Sequence, residues 1–289
     1  MFLTRRVWLP LSVHSRNYLK HSFKVLHHSS LELGLDPLRI VLFIPRFFRY
    51  FKSLFLFLLL FVRSRKLADS IPLSLYPCVH DAWAEAGSAS GHYFYQDLIV
   101  SNLIYQQKPF VHFDIGSRID GFIAHLLSFE QTIVLGDVRR LKPFHRLVSF
   151  RTYDLMKPNI LDPTMKYDSI SCLHVIEHIG LGRYGDTLCF DGPSIALRNL
   201  ALLMSENATL YISHPCGPTR IEFNAHWVFS ASDFYQLLCK AGLAIKKSFF
   251  IDDDGACDYL EYSTIDEITS VASGSHYGCL IWVCEKLHL

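Results

Sequence analysis

The sequence predicts an α/β protein with a mostly parallel sheet and helices on both faces of that sheet. After Pro109, seven short apolar runs alternate with segments of helical periodicity, and the length of the runs is typical of strands. Runs that are apolar throughout indicate strands buried on both faces, because crossover helices cover a parallel sheet on each side. Half of the residues are hydrophobic, which is enough for a large core.

The predicted elements follow one another in a regular order. The strands are expected at 110–115, 132–135, 147–153, 168–173, 209–213, 245–251 and 279–284. Helices are expected at 95–105, 121–129, 193–204 and 231–241. Gly242 follows the last of these helices and is a typical residue for a helix C-terminus.

Charge divides the chain into an extension at 1–66, a lead-in segment at 67–108 and a main domain at 109–289. Residues 1–66 contain 12 Lys or Arg and 2 Asp or Glu, whereas the remainder contains 16 and 25. A basic segment before an acidic domain indicates an address, an anchor or a phosphate-facing surface. Because the main domain has no dense basic stripe, the sequence predicts no nucleic-acid partner.

A helix with one apolar and one cationic face is predicted near the end of the extension. Apolar residues from 40 to 58 follow helical spacing, while Arg46, Arg49 and Lys52 recur every three positions. This pattern is typical of a helix that lies in a membrane interface, so peripheral membrane contact through residues 38–62 is expected. The same apolar face could pack on the main domain instead. A transmembrane span is the third interpretation.

The expected location is intracellular and membrane-associated, either cytoplasmic or organellar. No acidic residue precedes Glu32, and the basic, serine-containing start fits a transit peptide as well as an ordinary basic tail. The eight cysteines form no CxxC pair, and several lie in apolar runs. They are expected to be free thiols, as in a reducing compartment.

Polar residues end four of the first five predicted strands. They are Asp114, Asp137, Asp154 and His174. In open parallel sheets, ligands bind beyond the carboxyl ends of the strands. Asp137 lies 23 residues after Asp114, close to the spacing at which an acid reaches ribose hydroxyls in a nucleotide-binding unit. Gly116 allows the backbone of the first loop to approach a ligand. The sequence therefore predicts a nucleotide-type cleft.

These strand ends resemble the motifs of class I S-adenosylmethionine-dependent methyltransferases. The residues concerned are Phe113-Asp114-Ile115-Gly116, Asp137, Asp154-Leu155 and the stretch 167–178. Residues 116–122, 182–186 and 222–226 resemble, more narrowly, domain-of-unknown-function family 268 of that superfamily. The resemblance spans about residues 68–255. It implies a three-layer sandwich with a seven-stranded sheet, its last strand antiparallel: a Rossmann-like methyltransferase fold with an N-terminal helical extension.

The resemblance also implies S-adenosyl-L-methionine as the cofactor. The predicted cofactor-binding residues are Asp114, Gly116, Ser117, Asp137, Asp154, Leu155 and His174. The superfamily loop usually carries a second glycine where this chain has Arg118. The arginine would either crowd the methionine moiety or pair with its carboxylate.

Methyl transfer requires alignment of acceptor, methyl carbon and sulfur, and a hydroxyl acceptor also requires a base. Histidine suits that task near neutral pH, so His178 and His226 are the predicted bases. Glu177 is the predicted orienting or alternative base. Arg183 and Asn224 are expected to contact a polar acceptor, either a small molecule or a glycan. We predict no metal ligands for this reaction.

Three other functions fit parts of the pattern. The stretch from His174 to His178 matches the HxxEH motif of inverted zinc proteases, which requires a continuous helix over 168–178. A non-catalytic Rossmann-like binding module is a second alternative. A sugar-nucleotide enzyme with the same ribose contact is the third, and the acidic run 252–254 would allow a metal-assisted form of it.

Overall fold

The structure, a computed structural model, describes residues 36–63, 75, 78, 87, 89–116, 118–142, 144–157 and 165–287. The chain divides into two compact units, Met1–Ser88 and Ala89–Leu289. The predictions for the first 35 residues, for most of 67–88 and for Ser117 lie outside the described residues.

The described part of the first unit is helix α1, Pro37–Arg63. Phe43, Phe47 and Phe51 contact one another in turn along one side, with ring centroids 4.9 and 4.5 Å apart. Their spacing of four residues places them on one helical face. None of the helices in the described ranges combines the length and the hydropathy needed to cross a bilayer. The predicted helix is therefore confirmed, whereas its contact with a membrane stays a prediction.

The second unit contains a seven-stranded sheet and a separate two-stranded hairpin. The strands are β1 His112–Ile115, β2 Ile133–Asp137, β3 Val148–Thr152, β4 Tyr167–Leu173, β5 Met204–Cys216, β6 Arg220–Glu222, β7 His226–Val228, β8 Leu243–Ile251 and β9 Gly278–Lys286. The sheet has the order β3-β2-β1-β4-β5-β9-β8, and β6 pairs with β7. Strand β9 runs antiparallel to β5 and β8, while β1 to β5 are mutually parallel. The predicted sheet is confirmed.

Helices cover both faces of the sheet. They are α2 His92–Gln107, α3 Ala124–Ser128 after a π-helical turn Ile119–Ile123, α4 Gly192–Leu203, α5 Ala231–Lys240 and α6 Ile265–Val271. One apolar cluster includes Phe113, Leu197 and Trp282, and a second, on the opposite face, includes Ile104 and Ile281. Burial of each such side chain contributes about 1.5–3 kcal/mol. The three-layer arrangement predicted from the sequence is confirmed.

Side-chain caps determine where α5 and α6 begin. The Ser230 hydroxyl accepts a hydrogen bond from the backbone N–H of Asp233 at 3.1 Å. Thr264 and Glu267 form a reciprocal capping box at the start of α6. Each cap satisfies backbone donors that a helix leaves unpaired at its first turn. Helix α6 and the hairpin are elements that the sequence pattern did not predict.

The segment that carries the HxxEH pattern is a strand followed by a turn. Strand β4 ends at Leu173, and a single 3₁₀ turn occupies Ile176–His178. Across residues 165–178, all of which are described, the backbone contains no α-helix. An inverted zinc protease needs both histidines on one helical face, so that alternative is wrong.

Candidate functional site

An open cleft with an empty volume of about 640 Å³ lies at the carboxyl ends of β1 to β4. Its lining consists of Ile115, Gly116, Asp137, Val138, Arg139, Tyr153, Asp154, Leu155, Met156, His174, Val175, His178, Ile179, Tyr184 and Asp186. Six predicted site residues are in this set: Gly116, Asp137, Asp154, Leu155, His174 and His178. Because parallel strands end at one edge of a sheet, residues far apart in sequence meet here.

Gly116 forms part of the cleft floor in a conformation that favours glycine. Its φ is +73°, and a Cβ added there would lie 2.4 Å from Cγ2 of Val175. Its N–H donates to the carbonyl of Gly136 at 2.8 Å, which ties the first loop to β2. A side chain at this position would therefore meet both backbone strain and a steric collision.

Asp137 ends β2 with its carboxylate already held by Arg139. The Arg139 backbone N–H and Nε donate to Oδ1 at 2.8 and 3.0 Å, and Nη2 donates to Oδ2 at 2.8 Å. A carboxylate offers about four lone-pair positions, so about one remains for a ligand while Arg139 stays in place. The Arg139 guanidinium also lies over the ring of Tyr184, 4.7 Å from its centroid.

The end of β3 supplies a second carboxylate, that of Asp154, and part of the apolar surface of the cleft. Asp154 accepts the backbone N–H of Met156 at 2.9 Å and pairs with Lys157 at 3.1 Å. Tyr153 lines the cleft, and its buried hydroxyl has no hydrogen-bond partner in the described part of the chain. Burial raises the pKa of Tyr153 to about 12. Val138 and Met156 add apolar surface, so this end of the cleft suits a flat, mostly apolar group.

Asp114 lies beneath the cleft and is not part of its lining. It is buried within β1, in register with Ser171 of β4, and the Ser171 hydroxyl donates to its carboxylate. His112 bonds Ser169 and Ser171 at 2.8 Å each, and burial lowers its pKa to about 3. Because β1 continues to Ile115 and Asp114 is enclosed between paired strands, a direct contact of Asp114 with the cofactor stays a prediction.

His174 and Glu177 form a buried pair at the end of β4. His174 Nδ1 lies 2.7 Å from Glu177 Oε1, and the carboxylate is almost fully buried. Burial disfavours protonation of His174, but Cys279 and Glu177 outweigh it and raise the His174 pKa well above its ordinary value. Burial likewise raises the pKa of Glu177, but His174 outweighs that effect and the net pKa is lowered.

His178 is held by the hairpin β6–β7. Its Nδ1–H donates to the carbonyl of Ala225 at 2.7 Å, and Arg183 Nη1 donates to the same oxygen at 3.1 Å. With the proton on Nδ1, the neutral imidazole has its lone pair on Nε2. Since His178 lines the cleft, it is the predicted base that the structure brings to the candidate site.

The remaining predicted acceptor contacts lie away from the cleft lining. His226 Nε2 is 3.3 Å from Glu222 Oε2, and burial lowers the pKa of His226. The rings of His178 and His226 have centroids 6.4 Å apart, so the two histidines are near neighbours even though only His178 lines the cleft. Asn224 is exposed in the turn between the two hairpin strands. Arg183 contacts the hairpin through its hydrogen bond to the Ala225 carbonyl.

Arg118 points toward α2. Its guanidinium lies 4.8 Å from the ring centroid of Tyr93 and 3.3 Å from Asp120. The side chain is not among the residues that line the cleft. The Arg118 side chain is thus directed to the ring of Tyr93. Its contact with a methionine carboxylate stays a prediction.

Nine cleft residues were not predicted as site residues, and five of them are apolar. They are Ile115, Val138, Arg139, Tyr153, Met156, Val175, Ile179, Tyr184 and Asp186. Asp186 accepts backbone N–H groups of Gly180 and Tyr184 at 2.8 and 3.3 Å, which shapes the loop after β4. Asp186 could have been predicted from its place in the stretch 182–186, but Arg183 was the residue predicted from that stretch.

The segment from the first residue of β2 to the last residue of β8 matches a protein-family model. That model is described as "Caenorhabditis protein of unknown function, DUF268", and it matches residues 133–251. The matched segment contains Asp137, Asp154 and the stretch from His174 to His178, so it includes most of the cleft. A search of the curated proteins found no match.

Solved structures with similar chains include several methyltransferases. A Burkholderia thailandensis 1,6-didemethyltoxoflavin-N1-methyltransferase with bound S-adenosylhomocysteine is 15% identical, with 67% of this chain and 79% of that chain covered and a TM-score of 0.46. An S-adenosylmethionine-dependent methyltransferase from Clostridium acetobutylicum is 11% identical, covering 68% and 93%, with a TM-score of 0.44. The strand order, with β9 antiparallel between β5 and β8, is that of the Rossmann-like methyltransferase fold.

Proposed function

We propose that this protein is an S-adenosylmethionine-dependent methyltransferase that acts on a polar acceptor. The observation that carries the proposal is the meeting of Gly116, Asp137, Asp154 and His178 in one cleft at the strand ends. A nucleoside needs a glycine turn for close approach and carboxylates for its hydroxyl and amino groups. A base beside that cleft adds what a hydroxyl acceptor requires.

The residues present fit an adenosyl group. The remaining acceptor position of Asp137 would take a ribose hydroxyl, as an acid in this position does in nucleotide-binding units. The second carboxylate, Asp154, would accept from the adenine amino group. Val138 and Met156 would pack on the base, and the unpartnered Tyr153 hydroxyl is a further polar group that a ligand could satisfy. When bound, the sulfonium would supply an activated methyl group.

His178 would remove the acceptor proton. Its Nδ1–H is fixed on the Ala225 carbonyl, which leaves Nε2 to accept a proton from a hydroxyl held in the cleft. Glu177 lies 4.0 Å from His178 Nε2, so its carboxylate would stabilise the imidazolium once the proton has moved. The acceptor is therefore expected to bind between the hairpin β6–β7 and the end of β4.

Hairpin residues would give the acceptor site its polarity. His226 and the exposed Asn224 follow one another closely on the hairpin, next to His178. Hydrogen-bonding groups of this kind suit a hydroxyl-rich small molecule, and a saccharide belongs to that class. The acceptor class is part of the proposal.

A thermal-shift screen of the full chain against adenosyl cofactors and nucleotide sugars tests the proposal. We expect S-adenosylmethionine and S-adenosylhomocysteine to raise Tm, and nucleotide sugars to leave it unchanged. A shift with nucleotide sugars alone would favour the sugar-nucleotide alternative. No shift with any ligand, at millimolar concentration and with the fold intact, would favour the non-catalytic binding module.

A further inference from the structure

Three potential metal ligands from separate elements meet beside α2. His92 is the first residue of α2, His174 follows β4, and Cys279 lies in β9. One ligand atom from each of the three lies within 4.8 Å of the other two. His174 and Cys279 are buried and His92 is half-buried, so the cluster is enclosed by the fold.

The His174 ring is oriented as the ring of a metal-binding histidine would be. Its Nδ1 is engaged by Glu177 at 2.7 Å. Its Nε2 is buried, and no residue in the described ranges forms a hydrogen bond with it. A buried polar nitrogen without a partner is costly to folding, so such an atom points to a group that would satisfy it.

We propose that His92, His174 and Cys279 bind one Zn²⁺ ion and leave a fourth position open to water or a small ligand. One thiolate and two imidazoles are a ligand set that zinc prefers, with Zn–S at about 2.3 Å and Zn–N at about 2.0–2.1 Å. Tetrahedral binding at those lengths places the ligand atoms about 3.3–3.6 Å apart, so any pair near the 4.8 Å limit would have to approach. The His92 ring is stacked against those of His174 and Tyr277, with centroids 5.3 and 5.6 Å away, so binding would move this ring.

Glu177 contacts the ring nitrogen of His174 that would not bind the ion. Metal-binding histidines commonly donate their second ring N–H to a carboxylate, which fixes the tautomer and strengthens the ligand. Glu177 lies on His174 Nδ1 in that position. The Cys279 thiol and the protonated form of His174 would each release a proton to solvent on binding the ion, because the thiolate and the neutral imidazole are the ligand forms.

The proposed ion would join three parts of the second unit. It would connect the start of α2 to the end of β4 and to β9, next to the cleft that His174 lines. This ligand set differs from the HxxEH pattern, which would pair His174 with His178. The zinc site shares His174 with the cleft and Glu177 with the proposed methyl transfer, but zinc binding needs no adenosyl ligand and can therefore be tested separately from methyl transfer.

Metal analysis of the purified full chain tests the proposal. After dialysis against a weak chelator, we expect about one zinc per chain. Cys279→Ser and His92→Gln should each lose most of that zinc. Cys284→Ser is the matched control, because Cys284 is an equally buried thiol on the same strand and should leave the zinc content unchanged. Cobalt reconstitution should give a sulfur-to-cobalt charge-transfer band that Cys279→Ser lacks.

Stability measurements separate metal loss from misfolding. A strong chelator should lower the Tm of the wild-type chain by about 5 °C or more, and added zinc should restore it. If Cys279→Ser does not fold, the zinc content of His92→Gln tests the proposal instead, because position 92 is half-buried. Folded wild-type chain without zinc, even after stoichiometric zinc is added, would overturn the proposal. Retention of zinc in His92→Gln, or equal loss in Cys284→Ser, would also overturn it.

Discussion

Arg139 holds the carboxylate of Asp137 through its backbone N–H and two guanidinium nitrogens, at 2.8 to 3.0 Å. This contact fixes the acid at the end of β2 before any ligand arrives. A bidentate guanidinium–carboxylate pair is geometrically specific as well as strong. Asp137 therefore presents its remaining acceptor position to the cleft in one orientation, which reduces the cost of ordering the site when a ligand binds.

We expect Gly116→Ala to destabilise the fold by about 1–3 kcal/mol more than Gly274→Ala does. Both glycines have positive φ, 73° and 85°, so both variants meet the same kind of backbone strain. Only at Gly116 would the new Cβ collide with a neighbour, namely Val175, while Gly274 has open space. Urea unfolding of the two variants measures the difference. Equal free energies of unfolding would contradict the tight contact between the first loop and β4.

His178→Ala should lower kcat of methyl transfer by about 10²–10⁴-fold and leave S-adenosylmethionine affinity within a few-fold of wild type. The imidazole is proposed to act on the acceptor proton, so its removal affects the chemical step rather than cofactor binding. The measurements are steady-state kinetics with an accepted substrate and calorimetric titration of the cofactor. His145→Ala is the control, because that histidine is exposed and does not line the cleft. Wild-type kcat in His178→Ala would exclude His178 as the base.

The buried pair of His174 and Glu177 predicts a stability maximum in mildly acidic solution when a chelator is present. The Glu177 pKa is lowered in the folded state, so its contribution is lost as pH falls below about 4.5 through the folded pKa. The His174 pKa is raised, so its contribution is complete below about 6.5 and is lost as pH rises through the folded pKa. Unfolding free energies across pH 3–9 measure both losses of stability, the one at acidic pH and the one at alkaline pH.

Glu177→Gln is expected to weaken both limbs of that profile and to cost about 3–5 kcal/mol near pH 6, as removal of one partner of a buried ion pair does. The exposed residue Glu206 provides the control, since Glu206→Gln should retain the pH profile of His174 and Glu177. A profile that is the same in wild type and Glu177→Gln would show that the two groups are not coupled.

The sheet could be predicted from the sequence because most of its strands are buried on both faces, the edge strand β3 being an exception. The seven apolar runs, from 110–115 to 279–284, correspond to the seven strands of the main sheet. Hairpin β6–β7 was missed because Arg220-Ile221-Glu222 is too short and too polar to stand out as a strand. The hairpin is nevertheless what fixes His178, through the Ala225 carbonyl.

Much of the candidate site could be predicted because polar residues end the strands. Asp137, Asp154 and His174 do so and line the cleft, whereas Asp114 precedes the end of β1 and is buried between strands. Apolar wall residues such as Met156 look like ordinary core residues in a sequence. The cluster of His92, His174 and Cys279 could not be predicted from spacing, because its members lie near the start, the middle and the end of the second unit.

Calorimetric titration of S-adenosylmethionine into wild type and Asp137→Asn tests the account most directly. Loss of the charged acceptor should weaken binding about 10-fold or more, because hydrogen bonds to a charged group contribute about 1.5–3 kcal/mol. Asp266→Asn, at an exposed position outside the cleft, should bind as wild type does. Binding to wild type with a clear loss in Asp137→Asn is the predicted result. No binding to wild type, or equal affinity in Asp137→Asn, would contradict an adenosyl site at these strand ends.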